Sequence, residues 1–507
     1  MKTIYKFRLV FLVFVACYLA ILVGFMILNL SNMPIQWDEA GHIDNGLFLR
    51  LGMYKQFSIN LFYPPLYDFL AFLSYNIFGV SVVSARIVDA VFSVLLLWVV
   101  FEFTYKIYDG KTALLATVFL GAMPGYFYAS HFAMLDIMVT FFFVSAIFLF
   151  YLWLQTGKER MLIFIGLTLT AGFLAKYQVI IALLVMFVFL LFFSRKQLKR
   201  LYARKFNIAT CAVILAAAGF LIYSLRSYVA MWIGVIGINT AGTFAPTYYL
   251  TEMNSIYPTI HPISLLMYIM GFAGLGFFAL RRQKADKLLL TWFFTVFVFY
   301  TLISNKNWRY VLPLFPVLAV SAAALITVAL SKLLSLNRKT LSKIAASALI
   351  AFVGVAMAYS VNDAVYWENS QNINFSLEQA VDYTIAHDGS NQAIMVLIPN
   401  NYFSQGIAEF YLLKDGGTQI HLYSYPWSRI IDPTFNATVI VDRCVQYNVK
   451  FLFLTEYRGN NLNYFNSTVT LMDVFAQLYD TNNFTHLTPE QTFGESPNCI
   501  YILNFTG

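Results

Sequence analysis

The sequence predicts a mainly α-helical membrane protein, built from about 11 transmembrane helices, outer juxtamembrane helices and a C-terminal extracytoplasmic α/β domain. Of its 507 residues, 60% are hydrophobic and 11% are charged, whereas soluble domains are about 25% charged. Apolar runs of the length that crosses a bilayer recur as far as residue 360. Because the chain then becomes polar and Asn-rich, we expect a transmembrane domain over 1–360 and a separate domain over 361–507.

The expected transmembrane helices are apolar runs about 20 residues long. The first run follows Lys2, Lys6 and Arg8, and since no small-residue cleavage site comes after it, we expect an uncleaved span. The predicted spans lie at 9–30, 84–104, 112–130, 137–154, 161–175, 177–193, 206–225, 263–280, 288–304, 310–331 and 343–360. The runs on either side of Lys176 form a predicted hairpin with this lysine at its turn.

The distribution of charge predicts which loops face outward. If the segment 60–79, which contains Pro64-Pro65 and Asp68, does not cross the bilayer, the basic loops all fall on the side of the N-terminus. That is the positive-inside arrangement, and it makes the N-terminus cytoplasmic. We therefore expect 60–79 to form interfacial or re-entrant helices on the outer face. These basic loops account for the net charge of +8, so no nucleic-acid partner is expected.

The tail alternates between helical and strand patterns, which predicts a small α/β domain on the outer face. Helices are predicted at 376–387, 402–413 and 437–447, and strands at 393–398, 419–423 and 450–454. Cys444 and Cys499 would be able to form a disulfide there. Sequons, each a weak signal, agree with an extracytoplasmic glycoprotein; they begin at Asn374, Asn436, Asn466, Asn483 and Asn504.

Three acids at the expected outer membrane edge are candidate catalytic residues. Asp38 and Glu39 follow the first span, and Asp136 begins the span at 137. All three suit the N-terminal cap or first turn of a helix, and capping explains them about as well as catalysis does. In the alternative interpretation, one carboxylate is a general base that takes a proton from an acceptor hydroxyl. Its neighbour would then orient the acceptor or bind a cation.

Basic and polar residues expected on the same face are candidate substrate ligands. Lys176 either extends to the lipid headgroups or provides a point charge for a lipid-linked phosphate. Lys306 and Arg309 either anchor a helix at the interface or clamp a phosphate. His131, in the loop before Asp136, is either a structural histidine or a second polar ligand. Acids and cations together at one face suit transfer of a group from a lipid phosphate to a hydroxyl.

An ordered set of short motifs resembles the polytopic GT-C glycosyltransferases. The nearest group is the dolichyl-phosphate-mannose protein mannosyltransferase family, which includes the bacterial enzymes that add aminoarabinose to lipid A. The resemblance covers about residues 1–335. Its motifs are, in chain order, Trp37-Asp38-Glu39, Tyr63-Pro64-Pro65-Leu66, Arg86, Met134-Leu135-Asp136, Leu174-Ala175-Lys176 and Arg309-Tyr310-Val311-Leu312-Pro313.

The resemblance implies transfer of a monosaccharide from a polyprenyl (dolichyl) phosphate carrier to an acceptor hydroxyl, with inversion at the anomeric carbon. Asp38, with Glu39 beside it, corresponds to the acid that activates the acceptor, and Asp136 corresponds to the acid of the second outer loop. The expected substrate-binding residues are Lys176 and Arg309 near the carrier phosphate, together with Tyr63, Tyr310, Lys306 and His131. A divalent cation near Asp38 and Asp136 is the one cofactor considered, and no metal ligands are assigned.

Two departures from the family pattern limit the correspondence. His131 stands where relatives often have Arg, and the Trp-Trp-Asp signature of oligosaccharyltransferases is absent, which argues against en bloc glycan transfer to Asn. The outer loop 226–262 would be a lid over the site or simply a long loop. The expected partners are a polyprenyl-phosphate-linked sugar, a protein, lipid or glycan acceptor, and membrane lipid.

The alternative function is that of a polytopic transporter or channel with no transferase activity. Such a protein would need acids near the bilayer midplane, and the predicted spans contain almost none, with Glu102 near the inner end of its span. A purely structural anchor for the tail would not need so many spans. The sequence therefore favours a membrane enzyme.

Overall fold

The chain forms two compact units. The structure, a computed structural model, describes residues 2–28, 35–61, 63–203, 219, 223, 245, 247–252, 262–336, 338–370, 376–387, 393–397, 403–416, 420–425, 437–455, 478, 481, 483–486, 492–494 and 499–506. The unit called here the membrane unit comprises Met1–Leu28, Leu61–Tyr67 and Arg86–Trp367. The other, called the sheet unit, comprises Asn29–Asn60, Asp68–Ala85 and Glu368–Gly507.

Helices form most of the described chain. In chain order they are α1 (Lys2–Ile27), α2 (Trp37–Arg50), α3 (Tyr54–Asn60), α4 (Leu66–Phe78), α5 (Val82–Ile107), α6 (Gly110–Gly121), α7 (Pro124–Ala129), α8 (Leu135–Thr156), α9 (Arg160–Ala175), α10 (Ile181–Phe193), α11 (Arg195–Ala203), α12 (Tyr248–Glu252), α13 (Pro262–Arg281), α14 (Lys284–Leu302), α15 (Phe315–Ser335), α16 (Lys339–Ser370), α17 (Leu377–His387), α18 (Gln405–Lys414) and α19 (Ala437–Gln446). Short 3-10 helices at Tyr177–Ile180 and Trp308–Leu314 precede α10 and α15.

Several helices are suited to a bilayer, which confirms a multi-spanning membrane protein. Within the described residues, six are long and apolar enough to cross it: Lys6–Ile27, Val82–Ile107, Leu135–Thr156, Lys284–Leu302, Trp308–Ser335 and Lys339–Asn362. Shorter apolar helices lie at Gly110–Gly121, Arg160–Ala175, Tyr177–Phe193 and Leu265–Arg281. Apart from residues 219 and 223, the span predicted at 206–225 lies outside the described residues. Each of the other predicted spans overlaps one of these helices, although the one at 112–130 does so only in part.

The span predicted at 112–130 is not one continuous helix. α6 ends at Gly121, and the short helix α7 begins at Pro124. Proline has no N–H to donate to a helical carbonyl, and it disfavours a helical conformation in the residue before it. Met123 is accordingly extended, with φ −71° and ψ 125°. The prediction of a single helix was wrong at this break because the surrounding side chains are uniformly apolar.

The segment 60–79 does not contain a helix of spanning length. Its helix α4 has 13 residues, which corresponds to about 20 Å of rise, whereas the hydrocarbon core of a bilayer is about 30 Å thick. The preceding helix α3 has seven residues. The prediction of short juxtamembrane helices in this part of the chain is therefore confirmed.

Glycines allow α13 and α15 to pack at very short distance. A Cβ atom on Gly274 would lie 2.2 Å from the carbonyl carbon of Ser321 and 2.3 Å from its oxygen. One turn away, the Ser321 hydroxyl donates a hydrogen bond of 2.8 Å to the carbonyl of Gly271. Small residues at such positions let helix backbones approach within a membrane, where dispersion contacts and polar contacts drive association.

Gly274→Ala should destabilise the protein, because the new methyl group meets backbone atoms that cannot rotate away. Overpacking of this kind costs about 1–3 kcal/mol. Gly276→Ala is the matched control, since a Cβ there meets no atom within 4 Å. Thermal unfolding in detergent, followed by tryptophan fluorescence, should show a lower Tm for the first variant alone. Equal Tm values would show that the α13–α15 contact is not this close.

The sheet unit contains a mixed sheet. Its strands are β1 (Ala393–Leu397), β2 (His421–Tyr425), β3 (Val449–Thr455), β4 (Phe484–His486), β5 (Thr492–Phe493) and β6 (Ile500–Phe505). The order is β2-β1-β3-β6-β4, with β5 pairing to β6. β1 is parallel to β2 and to β3, whereas β6 is antiparallel to β3, β4 and β5. The predicted α/β domain is confirmed, and the three C-terminal strands are additional to the prediction.

The possible disulfide in the tail does not form in this structure, because Cys444 is a free, buried thiol. It belongs to the apolar core beneath the sheet, with Ile440 and Leu452. Of the sequons, those beginning at Asn374, Asn436 and Asn466 lie outside the described residues.

A buried acid, Asp44, and a partly buried one, Glu409, lie where α2 packs on α18 in the sheet unit. A Cβ on Gly406 would lie 3.3 Å from both the Ala40 Cβ and the Asp44 Oδ2, so the glycine permits this close contact. Asp44 is 2% exposed, and burial together with the charge of Glu409 raises its pKa well above the ordinary value. Burial also raises the pKa of Glu409 from 4.5 to about 7. The folded unit therefore favours the protonated form of both acids.

The sheet unit should be more stable in mild acid than in mild alkali. Because the folded state holds the Glu409 proton more tightly than the unfolded state, its stabilisation is complete below pH 4.5 and is lost as the pH rises to about 7. The loss amounts to about 3 kcal/mol. Hydrogen exchange of α18 peptides, corrected for intrinsic rates, should show weaker protection at pH 8.5 than at pH 5.5.

Glu409→Gln should flatten this pH dependence, because glutamine stays neutral throughout the range. Asp442→Asn, at an exposed position on α19, is the matched control and should leave the pH dependence intact. A pH dependence that is unchanged in Glu409→Gln would contradict the assignment to this carboxyl group.

Candidate active site

The centre of the candidate site in the membrane unit is a buried carboxylate with two cations. The Lys176 Nζ lies 2.8 Å from the Asp136 Oδ1, and a terminal nitrogen of Arg309 lies 3.7 Å from the Asp136 Oδ2. Asp136 is 2% exposed and Lys176 is 5% exposed. The three formal charges leave one net positive charge, so the cluster favours an anion.

Three separate elements present these groups. Asp136 lies in the first turn of α8, where the preceding Met134 is extended. Lys176 is extended between the end of α9 and the following 3-10 helix, with φ −159°. Arg309 lies in the 3-10 helix before α15, and the Asn307 side chain accepts its backbone N–H at 3.1 Å and its Nε–H at 3.3 Å. All three residues thus lie at or beside helix ends, and these ends bring their side chains together in the bundle.

Tyrosine rings surround the lysine of this cluster. The Lys176 Nζ lies 5.4 Å from the centre of the Tyr63 ring and 5.6 Å from that of Tyr310. Both distances suit cation–π attraction. Tyr63 stacks on Tyr177 at 6.2 Å, and Tyr310 stacks on Tyr300 at 5.6 Å. The predicted residues Asp136, Lys176, Arg309, Tyr63 and Tyr310 are therefore brought together.

The contacts of Lys306 differ from those of the phosphate clamp that was predicted from the sequence. Its Nζ donates hydrogen bonds to the carbonyls of Tyr300, Thr301 and Ile303, at 3.3, 2.9 and 2.6 Å. A cation at the C-terminal end of a helix satisfies its last carbonyls and interacts favourably with the helix dipole. Lys306 thus caps α14, and a role in substrate binding stays a prediction.

His131 is packed as a structural histidine. It is 1% exposed, and its Nδ1 donates to the Phe127 carbonyl at 2.9 Å. The imidazole lies among the rings of Phe25 and Phe132, at 4.9 and 4.6 Å. These contacts favour the structural alternative, and direct contact of His131 with a substrate stays a prediction.

One residue near this site, Asp89, was missed by the predictions from the sequence. Asp89 lies within the apolar run at 84–104 and is completely buried, yet its Oδ2 accepts hydrogen bonds from the Tyr67 hydroxyl at 2.7 Å and the Met134 N–H at 3.1 Å. Its position in a predicted span was the signal that could have identified it, since an acid in such a run is a functional candidate by default.

The predicted base lies in the sheet unit. Asp38 is exposed in the first turn of α2, whereas Glu39 is fully buried and accepts the Gln36 N–H at 3.3 Å, forming a capping box. The two adjacent acids therefore differ. Glu39 caps the helix, which is the first of the two interpretations that the sequence left open. Asp38 remains accessible to a substrate.

Neighbouring polar groups hold α2 against α4 in the sheet unit. The Asp68 carboxylate lies 3.2 Å from the His42 Nδ1 and accepts a 3.0 Å hydrogen bond from the Asn45 amide. The Tyr75 hydroxyl donates to the Ile43 carbonyl at 3.1 Å. These buried bonds fix the helix that carries Asp38, because unpaired polar groups would be costly there.

A divalent cation does not fit at Asp136. Its two carboxylate oxygens face Lys176 and Arg309, whose positive charges would repel a metal ion. Within the described part of the chain, no group of three His, Cys, Asp or Glu side chains is arranged to hold a metal. A cation at Asp38 stays a prediction.

An apolar groove of about 350 Å³ runs along α14 on the membrane unit. Phe297 in its lining lies one turn before Tyr300, which stacks on Tyr310 of the site. The groove is lined by Leu250, Phe272, Leu275, Gly276, Ala279, Leu290, Phe293, Phe294 and Phe297. The residues that α14 contributes to this groove belong to Lys284–Leu302, one of the helices long and apolar enough to cross a bilayer.

The helical bundle, the juxtamembrane helices and the α/β tail define the class of fold, which is that of the GT-C glycosyltransferases. Residues 63–230 match the family described as dolichyl-phosphate-mannose-protein mannosyltransferase, so the resemblance expected from the sequence is confirmed. A protein of Aquifex aeolicus, described as uncharacterized, is 24% identical over 332 residues, or 62% of this chain. The match spans 61% of the length of that relative.

Solved structures share the fold along nearly the whole chain. The apo structure of ArnT from Cupriavidus metallidurans superposes with a TM-score of 0.68, at 12% identity, over 97% of this chain and 98% of that one. ArnT bound to undecaprenyl phosphate gives 0.66, at 12% identity and with the same coverage. The Archaeoglobus fulgidus oligosaccharyltransferase AglB, in complex with an inhibitory peptide and a dolichol-phosphate, gives 0.53 at 14% identity, over 95% of this chain and 74% of that one.

Asp136→Asn should destabilise the membrane unit because it leaves Lys176 and Arg309 without the charge that balances them. Breaking a buried ion pair by removing one partner costs about 3–5 kcal/mol. Adding Lys176→Met to this variant removes one of the unbalanced cations, so the double variant should recover part of the lost Tm. The measurement is thermal unfolding of the two single variants and the double variant in detergent. If the Tm losses of the two single variants simply add in the double variant, the two side chains do not interact.

Proposed function

We propose that the chain is a membrane glycosyltransferase that moves a monosaccharide from a polyprenyl (dolichyl) phosphate carrier to an acceptor hydroxyl on the outer face, with inversion. The observation that carries the proposal is the cluster in which Asp136 holds Lys176 and Arg309. A buried site with a net positive charge suits the carrier phosphate, which gains charge as the bond to the sugar breaks.

The lipid donor is supported by the surroundings of this cluster. ArnT has been solved with undecaprenyl phosphate and AglB with a dolichol-phosphate, so two proteins of this fold bind polyprenyl phosphates. Here, the apolar groove along α14 would receive part of the polyprenyl chain. Arg309 offers a planar fork for two phosphate oxygens, while Lys176 provides a point charge.

In the proposed reaction, Asp38 takes the proton of the acceptor hydroxyl. The hydroxyl oxygen attacks the anomeric carbon from the face opposite the phosphate and forms the new C–O bond. The bond between that carbon and the phosphate oxygen breaks, and its electron pair leaves with the polyprenyl phosphate, which Lys176 and Arg309 stabilise. Asp136 orients the two cations. No step requires a metal ion.

The proposal includes an orientation in the membrane. With the N-terminus in the cytoplasm, as the basic loops favour, Asp38 and the C-terminal domain lie outside the cell. The acceptor would be a protein, a lipid or a growing glycan. The sheet unit, which carries the exposed Asp38, would then contribute to the choice of acceptor.

Asp38→Asn should abolish transfer, since an amide cannot accept the proton. General-base removal lowers rates by about 10²–10⁴-fold. The assay incubates the purified protein with a panel of polyprenyl-phosphate sugars and membrane extract, and measures the released polyprenyl phosphate by mass spectrometry. Full activity in the folded variant would refute the role of Asp38.

Glu39→Gln provides the matched control on the adjacent residue. Glutamine also forms a capping box, so this variant keeps the helix start but removes the carboxylate. We expect it to retain at least half of the wild-type activity. Loss of activity as large as that of Asp38→Asn would mean that the two acids act together.

A further inference from the structure

Asp89 joins two segments that border the candidate site. Its Oδ2 accepts a hydrogen bond of 2.7 Å from the Tyr67 hydroxyl and one of 3.1 Å from the Met134 N–H. Tyr67 belongs to the segment Leu61–Tyr67 of the membrane unit, and Met134 precedes α8. Asp89 and Tyr67 are both completely buried. One oxygen atom on α5 therefore joins the first turn of α4 to the residue that precedes α8.

Both segments lead directly to the cation cluster. Met134 lies two residues before Asp136, and its sulfur accepts a 2.9 Å contact from the Arg309 guanidinium. Tyr67 lies four residues after Tyr63 in the chain, and the Lys176 Nζ lies 5.4 Å from the centre of the Tyr63 ring. A shift of either donor would therefore change the position of a group that contacts Lys176 or Arg309.

We propose that Asp89 is a positioning residue for the site that binds the carrier phosphate. It acts through Met134 on Asp136 and Arg309, and through Tyr67 on the tyrosine beside Lys176. The inference rests on the proposed function, because the anion at the cluster is taken to be the phosphate of the lipid donor.

A carboxylate is an expensive residue at this position, which argues for a role beyond packing. Acids within membrane-spanning helices are rare, and they usually face the interior of the bundle and mark functional sites. A charged acceptor forms hydrogen bonds about twice as strong as neutral ones. A charged oxygen is thus suited to hold two donors in a fixed geometry.

The experiment compares Asp89→Asn, Tyr67→Phe and the double variant in the full-length protein. Asp89→Asn should raise the KM for the polyprenyl-phosphate donor at least tenfold, while kcat changes less than threefold. Tyr67→Phe removes one of the two bonds and should raise the donor KM about threefold, a moderate effect typical of a single buried hydrogen bond. Because residues in one network are not additive, the double variant should match Asp89→Asn.

Ser93→Ala is the matched control on the same helix. Ser93 is fully buried, and its hydroxyl donates only within α5, to the Ala90 carbonyl at 2.8 Å. A purely structural effect of a polar group in α5 would lower Tm without changing the donor KM, and we expect no change in KM for this control. A donor KM within twofold of the wild type in folded Asp89→Asn overturns the inference. If that variant does not fold, an unchanged KM in Tyr67→Phe overturns it.

A second measurement separates this inference from the proposed function. Hydrogen exchange of peptides covering 132–136 should be faster in Asp89→Asn than in the wild type or Ser93→Ala, because the neutral amide has a single acceptor oxygen, which binds the Met134 N–H and the Tyr67 hydroxyl more weakly than the carboxylate does. Unchanged protection overturns the positioning role whatever the activity. Absence of donor turnover in the wild type overturns the proposed function, and with it the assignment of the bound anion as the donor phosphate.

Discussion

The membrane unit depends on the balance of charge at Asp136. This one buried carboxylate contacts Lys176 and Arg309, which come from different parts of the bundle. Without the acid, two positive charges would face each other in a region with little water, and desolvation would make their repulsion severe. With it, the cluster retains one net positive charge that a bound anion can neutralise. The same three groups therefore stabilise the membrane unit and form the anion site proposed for the donor phosphate.

Four acidic side chains differ in burial and in their contacts, which indicates a different role for each. Asp136 and Asp89 are buried and accept hydrogen bonds or ion pairs from several elements, so both hold neighbouring groups in place. Glu39 closes the first turn of α2. Asp38, one residue earlier, is exposed. A reactive carboxylate must be accessible to its substrate, and of these four side chains Asp38 meets that condition.

Much of the fold could be predicted, because a bilayer imposes long apolar runs and the tail alternates regularly between helix and strand. The sequence also identified Asp136, Lys176 and Arg309, although it could not show that they contact one another. Prediction from the sequence failed where a single residue departed from an otherwise uniform apolar run. The break before Pro124 lay in a uniformly apolar run, and Asp89 was overlooked inside another. The capping contacts of Lys306 depend on the end of α14, which a sequence pattern locates only approximately.

The position of β6 has a consequence for biosynthesis. This strand pairs with β3, β4 and β5. One edge of β3 therefore stays unpaired until residues 500–505 have been synthesised. At about 5–20 residues per second, the ribosome needs roughly 5–20 seconds to proceed from β1 to β6. During that interval the parallel strands expose an unpaired edge, which is a site for aggregation. Folding of this protein should therefore depend more on chaperones that protect strand edges than folding of a protein whose sheet is built from consecutive hairpins.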